Sequence, residues 1–164
     1  MDTRIIPECY IDTTLIEVLG FGKTNHKLNN SEVIKTLEQK GYNNTIGIGL
    51  IDRDKNQPRS LKEKYQVIKR LDDLELYQKR DNSKRFIIVH PVIEKWIDSE
   101  AEKYQITRAK YGLPQDFKAF KDITKDINIG KKAGIKNYLS AIQNQQNSGF
   151  KKLKDLITEL LNNA

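Results

Sequence analysis

The sequence predicts an α/β layer fold with a mostly parallel sheet, followed by a helical C-terminal extension. Three observations predict it. Short continuous apolar runs alternate with helical periodicities over the first hundred residues. From about residue 100 onward the periodicity is helical only. The excess positive charge follows the same division: residues 1–100 carry 17 basic and 16 acidic side chains, residues 101–164 carry 12 and 6. The expected organisation is an α/β domain over 1–100 with a basic helical extension, 101–164, packed on it.

"RIIPE" (4–8) is a short strand. Asp12 is placed to cap a helix with Leu15, Ile16 and Leu19 on one face and Gly20 as its stop. A second helix follows Asn30 and Ser31, carries Val33, Ile34 and Leu37, and ends at Gly41. "TIGIGLID" (45–52) is a buried strand. Ser60 and Glu63 are spaced as a capping box, which predicts a third helix with Leu61, Tyr65, Ile68 and Leu71 on its buried side. "LELYQ" (74–78) alternates with period two, "DNS" (81–83) offers a turn, and "RFIIVH" (85–90) is β-branched and aromatic, so this pair reads as a hairpin or as two neighbouring strands. Pro91 suits the first turn of a helix bearing Val92, Ile93, Trp96 and Ile97. Further helices are expected near 99–111, 115–126, 130–146 and 149–162, the last with Leu153, Leu156, Ile157, Leu160 and Leu161 as its stripe.

A chain of 164 residues can bury a core without staples. Its single cysteine, Cys9, excludes an internal disulfide and fits a reducing compartment. The first residues lack the apolar stretch of a secretory signal, and no apolar run reaches membrane-spanning length. These features predict a soluble, cytoplasmic protein. The net charge of +7 suits a polyanionic partner or a solubilising lysine-rich surface equally well.

The acids carry the chemistry. In an open α/β sheet, ligands bind beyond the carboxyl ends of the strands. Glu8 ends the first strand, Asp52 ends the central one, and Asp54 follows in the loop. Three carboxylates at one sheet edge repel one another unless a cation or a proton intervenes. Mg²⁺ takes oxygen ligands, keeps several waters and accepts one or two protein carboxylates. Glu94, in the first turn of the helix after Pro91, belongs to the same edge, either as a ligand-side acid or as a residue favoured there by the helix dipole.

Glu8 in "IIPECYIDTTLIEVLG" and Asp52 and Asp54 in "IGLIDRDK" resemble the TOPRIM fold, the catalytic module of topoisomerases, primases and certain nucleases. The resemblance covers roughly residues 3–100. "IIVHPVIEKWI" looks like the segment of small stand-alone and OLD-nuclease-type TOPRIMs in which a strand runs into a helix with an additional Glu, here Glu94. It implies a three-layer α/β domain, Mg²⁺ or Mn²⁺ held by Glu8, Asp52 and Asp54, catalytic roles for those three and Glu94, and phosphodiester hydrolysis on nucleic acid, DNA first. It also implies a link to bacterial defence or repair, and in some cases a partner ATPase. Two residues depart from the pattern: Cys9 stands where the family usually has Gly, and Pro7 precedes the first Glu. No P-loop is present.

On that reading Lys55, Lys84 or Arg85 would neutralise transition-state charge, and Lys131 and Lys132, with Lys151, Lys152 and Lys154, would hold a nucleic-acid backbone. His90 is a proton shuttle or a packed strand-end histidine. Two rival readings are a catalytically inactive TOPRIM-like module that binds nucleic acid or a partner protein, and a receiver-like phosphoacceptor. The latter expects paired acids after the first strand, where only Glu8 stands.

Overall fold

A computed structural model describes residues 4–22, 24, 26–39, 46–53, 59–80 and 84–162, and the account below concerns those residues. Ile5–Pro7 forms β1, Tyr10–Val18 α1, Asn30–Leu37 α2, and Gly47–Asp52 β2. Arg59–Lys64 forms α3, Tyr65–Leu71 β3, Leu74–Lys79 β4, and Lys84–Val89 β5. The helices α4 (Ile93–Lys103), α5 (Phe117–Thr124), α6 (Ala133–Gln143) and α7 (Gly149–Asn162) complete the chain, with short 3₁₀ turns at Arg108–Tyr111 and Ile129–Lys131.

The sheet has five strands in the order β1-β2-β5-β4-β3. β1, β2 and β5 run parallel, whereas β4 and β3 are antiparallel to their neighbours. The sheet is therefore mixed, with the expected parallel arrangement confined to its β1-β2-β5 core. The departure comes from residues 65–71, whose spacing of Tyr65, Ile68 and Leu71 predicts helix. They form a strand instead, because a two-residue turn at Asp72 and Asp73, with Asp72 at φ 48°, folds them directly back on β4. Antiparallel pairing with a ready partner overrides a helical spacing that would leave that strand's edge bare. Ile68, expected inside, is exposed.

Strand alternation sorts the apolar side chains to two faces. Ile5, Ile48, Leu50, Ile87, Val89, Leu74 and Leu76 pack with α1, α4, α6 and α7 in one cluster. Ile6, Ile51, Ile88 and Phe86 pack with Val33, Ile34 and Leu37 of α2 and with Leu61 and Tyr65. Gly49 makes the second cluster possible. A Cβ there would stand 2.5 Å from the Phe86 ring and 2.9 Å from Val33, so only glycine lets ring and helix close over the central strand.

The C-terminal helices share the first cluster: Phe120, Ile135, Leu139, Phe150, Leu153 and Ile157 are buried in it with Leu15 and Trp96. The buried Glu100 ties α4 to α7 by accepting from Gly149 N at 2.6 Å. The expected helices at 91–97 and 99–111 are one helix, α4, followed by a 3₁₀ turn that ends at Gly112 in the left-handed region. Among the described residues no helix is long and apolar enough to cross a membrane.

Candidate functional site

The edge where β1, β2 and β5 end gathers four carboxylates. Glu8 is the first residue past β1, its N–H bonded to Leu50 O. Its carboxylate reaches sideways and accepts the Asp52 N–H at 3.1 Å. The Asn30 amide, at the start of α2, lies against the same carboxylate. With its nitrogen turned to Glu8 it donates to Oε2 at 2.5 Å and to Oε1 at 3.3 Å. The opposite orientation would leave two acceptors in contact and gain only a 3.5 Å bond to the Asp52 carbonyl, so the first is the one that fits.

Asp52 is the last residue of β2 and pairs in register with Val89 of β5. Its Oδ1 accepts from Ile93 N at 2.8 Å, so it caps α4 from another strand. Burial first, then the charges of Glu8 and Glu94, push Asp52 up to about 8 against the weaker opposing pull of the Ile93 N–H and Lys121. Glu94 is buried in the first turn of α4 and accepts from Thr124 Oγ1 of α5 at 2.9 Å. The segment 121–124 thus contributes a cation toward Asp52 and a donor to Glu94.

The fourth acid is Asp12. The sequence suggests a cap, and it does return to the Cys9 N–H at 3.1 Å from the third position of α1. It is also 1% exposed, and its Oδ1 has no hydrogen-bond partner among the described residues. Burial, then Asp52 and Glu8, hold its carboxyl well above the usual range. Beside it the half-buried Cys9 thiol is raised by burial and by Asp12, which suits an unreactive side chain.

Glu8, Asp52 and Glu94 therefore come together as the sequence predicts, and Asp12, Asn30, Thr124 and Lys121 join them. Asp54 and Lys55 lie outside the described residues. Lys84 and Arg85 do not reach this edge. They begin β5, and Lys84 pairs with Gly47 while Val89, at the strand's other end, pairs with Asp52. Five residues of strand, about 16 Å, separate them from the carboxylates. Lys84 is only 2% exposed, which also removes it as a phosphate contact. Lys131 and Lys132 are exposed beside α6, bonded to Asn128 and paired with Asp126. His90 turns from the carboxylates to Glu75, at 3.1 Å.

Among the described residues no three His, Cys, Asp or Glu side chains are placed to hold a metal ion together. Glu8 and Asp52 supply two neighbouring carboxylates, the number Mg²⁺ usually takes from protein, and the Asp12 oxygen that has no partner among the described residues adds a buried acceptor near them. An all-oxygen, anionic donor set of this kind fits Mg²⁺ or Mn²⁺ and not a soft metal.

The chain matches no protein-family model, no curated protein and no solved structure. Those comparisons identify no TOPRIM domain.

Proposed function

We propose that the chain is a three-layer, TOPRIM-like α/β protein that hydrolyses phosphodiester bonds of nucleic acid with Mg²⁺ or Mn²⁺. One observation carries this reading: Glu8 and Asp52 lie side by side at the ends of neighbouring parallel strands, with Glu94 close enough to raise Asp52 by charge, and Asp12 is itself raised by Asp52 and Glu8. Mutual repulsion costs stability, and a divalent cation would relieve it.

The cation would polarise the phosphoryl oxygen and lower the pKa of a bound water. Asp52, fixed by Ile93 N, would hold it with Glu8. Glu8, kept in place by the Asp52 N–H and Asn30, would also accept a proton from the attacking water. Glu94, bonded to Thr124, would orient from the side of α4. Lys121 replaces Lys84 and Arg85 as the cation facing the site. A cytoplasmic location, a partner ATPase and a role in bacterial defence extend the same reading.

The test is thermal. Millimolar Mn²⁺ should raise the melting temperature of the wild type by preferential binding to the folded state, and Asp52→Asn or Glu8→Gln should abolish the rise. Plasmid nicking in Mn²⁺ should fall at least about a hundredfold in the same variants. A wild type that neither shifts nor nicks would sink the reading. A shift without nicking would favour the inactive, nucleic-acid-binding module, which Cys9 in the place of the usual glycine also supports.

A further inference from the structure

A second cluster stands at the same sheet edge, on the face opposite Asp52. Glu75, on β4, is buried, with 11% of its side chain exposed. Four groups from four segments converge on it. Arg53 Nη1 and His90 Nε2 each reach Oε2 at 3.1 Å, the Tyr77 hydroxyl donates to Oε2 at 3.1 Å, and Arg70 Nε donates to Oε1 at 2.9 Å. Arg53 Nη1 is also 3.3 Å from His90 Nε2.

Strand geometry fixes these positions. Arg53 directly follows Asp52, and its N–H bonds to Val89 O, which continues the β2–β5 ladder by one residue and sends its side chain to the other face. Arg70 sits opposite Glu75 in the β3–β4 register. His90 is the residue after β5, its N–H held by Asp73 O at 2.8 Å.

One guanidinium would neutralise Glu75. Here there are two and an imidazole, so the cluster is net positive even with His90 neutral. Each guanidinium spends a single nitrogen on Glu75, and its remaining nitrogens have no partner among the described residues. Those nitrogens face water: the Arg70 side chain is 71% exposed and that of Arg53 48%. An exposed ion pair contributes little to stability, so neutralisation alone does not account for the second arginine. A planar guanidinium held by one edge presents the other as a fork that matches two phosphate oxygens. Asp52 and Glu75 lie two strands apart, about 10 Å across the sheet, close enough for one bound strand to touch both.

We propose that Arg53, Arg70 and His90, held by Glu75, form a phosphate clamp that grips the nucleic-acid backbone next to the bond presented to Glu8 and Asp52. The proposal rests on the phosphodiester reading above for its choice of ligand. Glu75 is a positioning residue: it orients the two forks and touches no phosphate.

The experiment is binding without turnover. A fluorescein-labelled 20-base-pair DNA duplex is titrated with protein in EDTA over a series of salt concentrations. Arg53→Ala/Arg70→Ala should lower the slope of log K against log salt by about 2, one for each phosphate that no longer meets a guanidinium. It should weaken binding at least about tenfold at the lowest salt. Lys110→Ala/Lys118→Ala, which removes two exposed charges from the C-terminal helical segment, should change both by less than half as much. In a second arm, inorganic phosphate at constant ionic strength should raise the melting temperature of the wild type and leave that of Arg53→Ala/Arg70→Ala unmoved. Arg53→Lys and Arg70→Lys, which keep charge but not the fork, should restore the salt slope and not the full affinity. Equal losses in the arginine and lysine pairs would reduce the effect to general charge and overturn the clamp. So would a phosphate shift that survives in the arginine pair, or a wild type that does not bind DNA. Because metal and cleavage are absent, a wild type that binds through the clamp and never nicks DNA overturns only the hydrolytic reading.

Discussion

Two acids at one sheet edge, Asp52 half-buried and Glu75 buried, meet opposite fates. Asp52 is pushed up to about 8 by burial and then by the charges of Glu8 and Glu94. Glu75 sits on the other face, two strands away. Burial raises it too, but hydrogen bonds from Arg70, Tyr77 and His90 more than offset this, and its carboxyl lies below the usual range. Both have lost water. What separates them is the company each keeps, and that sets which form the fold favours: the neutral acid at residue 52, the anion at residue 75. An acid whose anion the fold disfavours invites a cation that would offset the charge. An acid already satisfied by arginines organises those arginines instead.

The largest test of this contrast is the pH dependence of stability without metal. The folded state keeps a proton on Asp52 up to about pH 8, whereas the unfolded chain releases it near the ordinary value of 3.8. Between those limits the native state binds more protons than the unfolded state. Stability therefore falls as pH rises, by about 1.4 kcal/mol per pH unit for one such group. Asp52→Asn keeps an oxygen for the Ile93 N–H and removes the charge. In EDTA the variant should melt above the wild type at pH 7.5, and its stability should vary less with pH between 4 and 8. Urea unfolding at four pH values would measure it. A wild type whose stability is flat over that range would remove the repulsion on which the comparison stands.

Glu75 should show the opposite signature. Its folded value is depressed, so the stability it contributes is fully present above the ordinary carboxylate range and is lost as pH falls through the folded value. Glu75→Gln turns an amide nitrogen toward two guanidiniums and should cost about 2 kcal/mol at pH 7. The cost should shrink on acidification, as the wild type itself becomes protonated. A penalty that stays constant down to pH 3 would mean that Glu75 matters for shape and not for charge.

The two clusters were not equally legible. Glu8, Asp52 and Glu94 are readable because each stands where an apolar run stops, and strand ends of a parallel sheet share an edge whatever the details between them. Asp12 is hidden by its own ordinariness: an acid in the first turn of a helix is a routine cap, and nothing local shows that α1 is turned so that it faces Glu8. Thr124 and Lys121 reach the site only because the end of α5 returns to the first turn of α4, a long-range event with no local mark. The Glu75 cluster is invisible for the same reason. "LELYQ" reads as a strand with a polar outer face, and the groups that meet on Glu75 come from residues 53, 70 and 90 as well as its neighbour Tyr77. One of those segments, 65–71, has a helical spacing that misassigns it, and with Arg70 on a helix the cluster does not exist. Lys84 and Arg85 fail by simple geometry: they open the strand that His90 follows.

The smallest effect separates the charged partners of Glu75 from the neutral one. Tyr77 donates to the same oxygen as Arg53 and His90, at the same 3.1 Å. Its ring packs beside Ile88 and Phe86 on the second face of the sheet, and Phe can fill that space. Tyr77→Phe therefore removes one neutral hydrogen bond, and Glu75 keeps three other donors. The expected loss is about 1 kcal/mol, below that of Glu75→Gln. The phenol also reports on the acid beside it: burial and then the Glu75 carboxylate raise its ionisation above the ordinary value of 10.0. In Glu75→Gln the second cause disappears, so an ultraviolet titration should find Tyr77 ionising at lower pH than in the wild type. If Tyr77→Phe cost as much as Glu75→Gln, the neutral donor would hold the carboxylate and the arginines would be passengers.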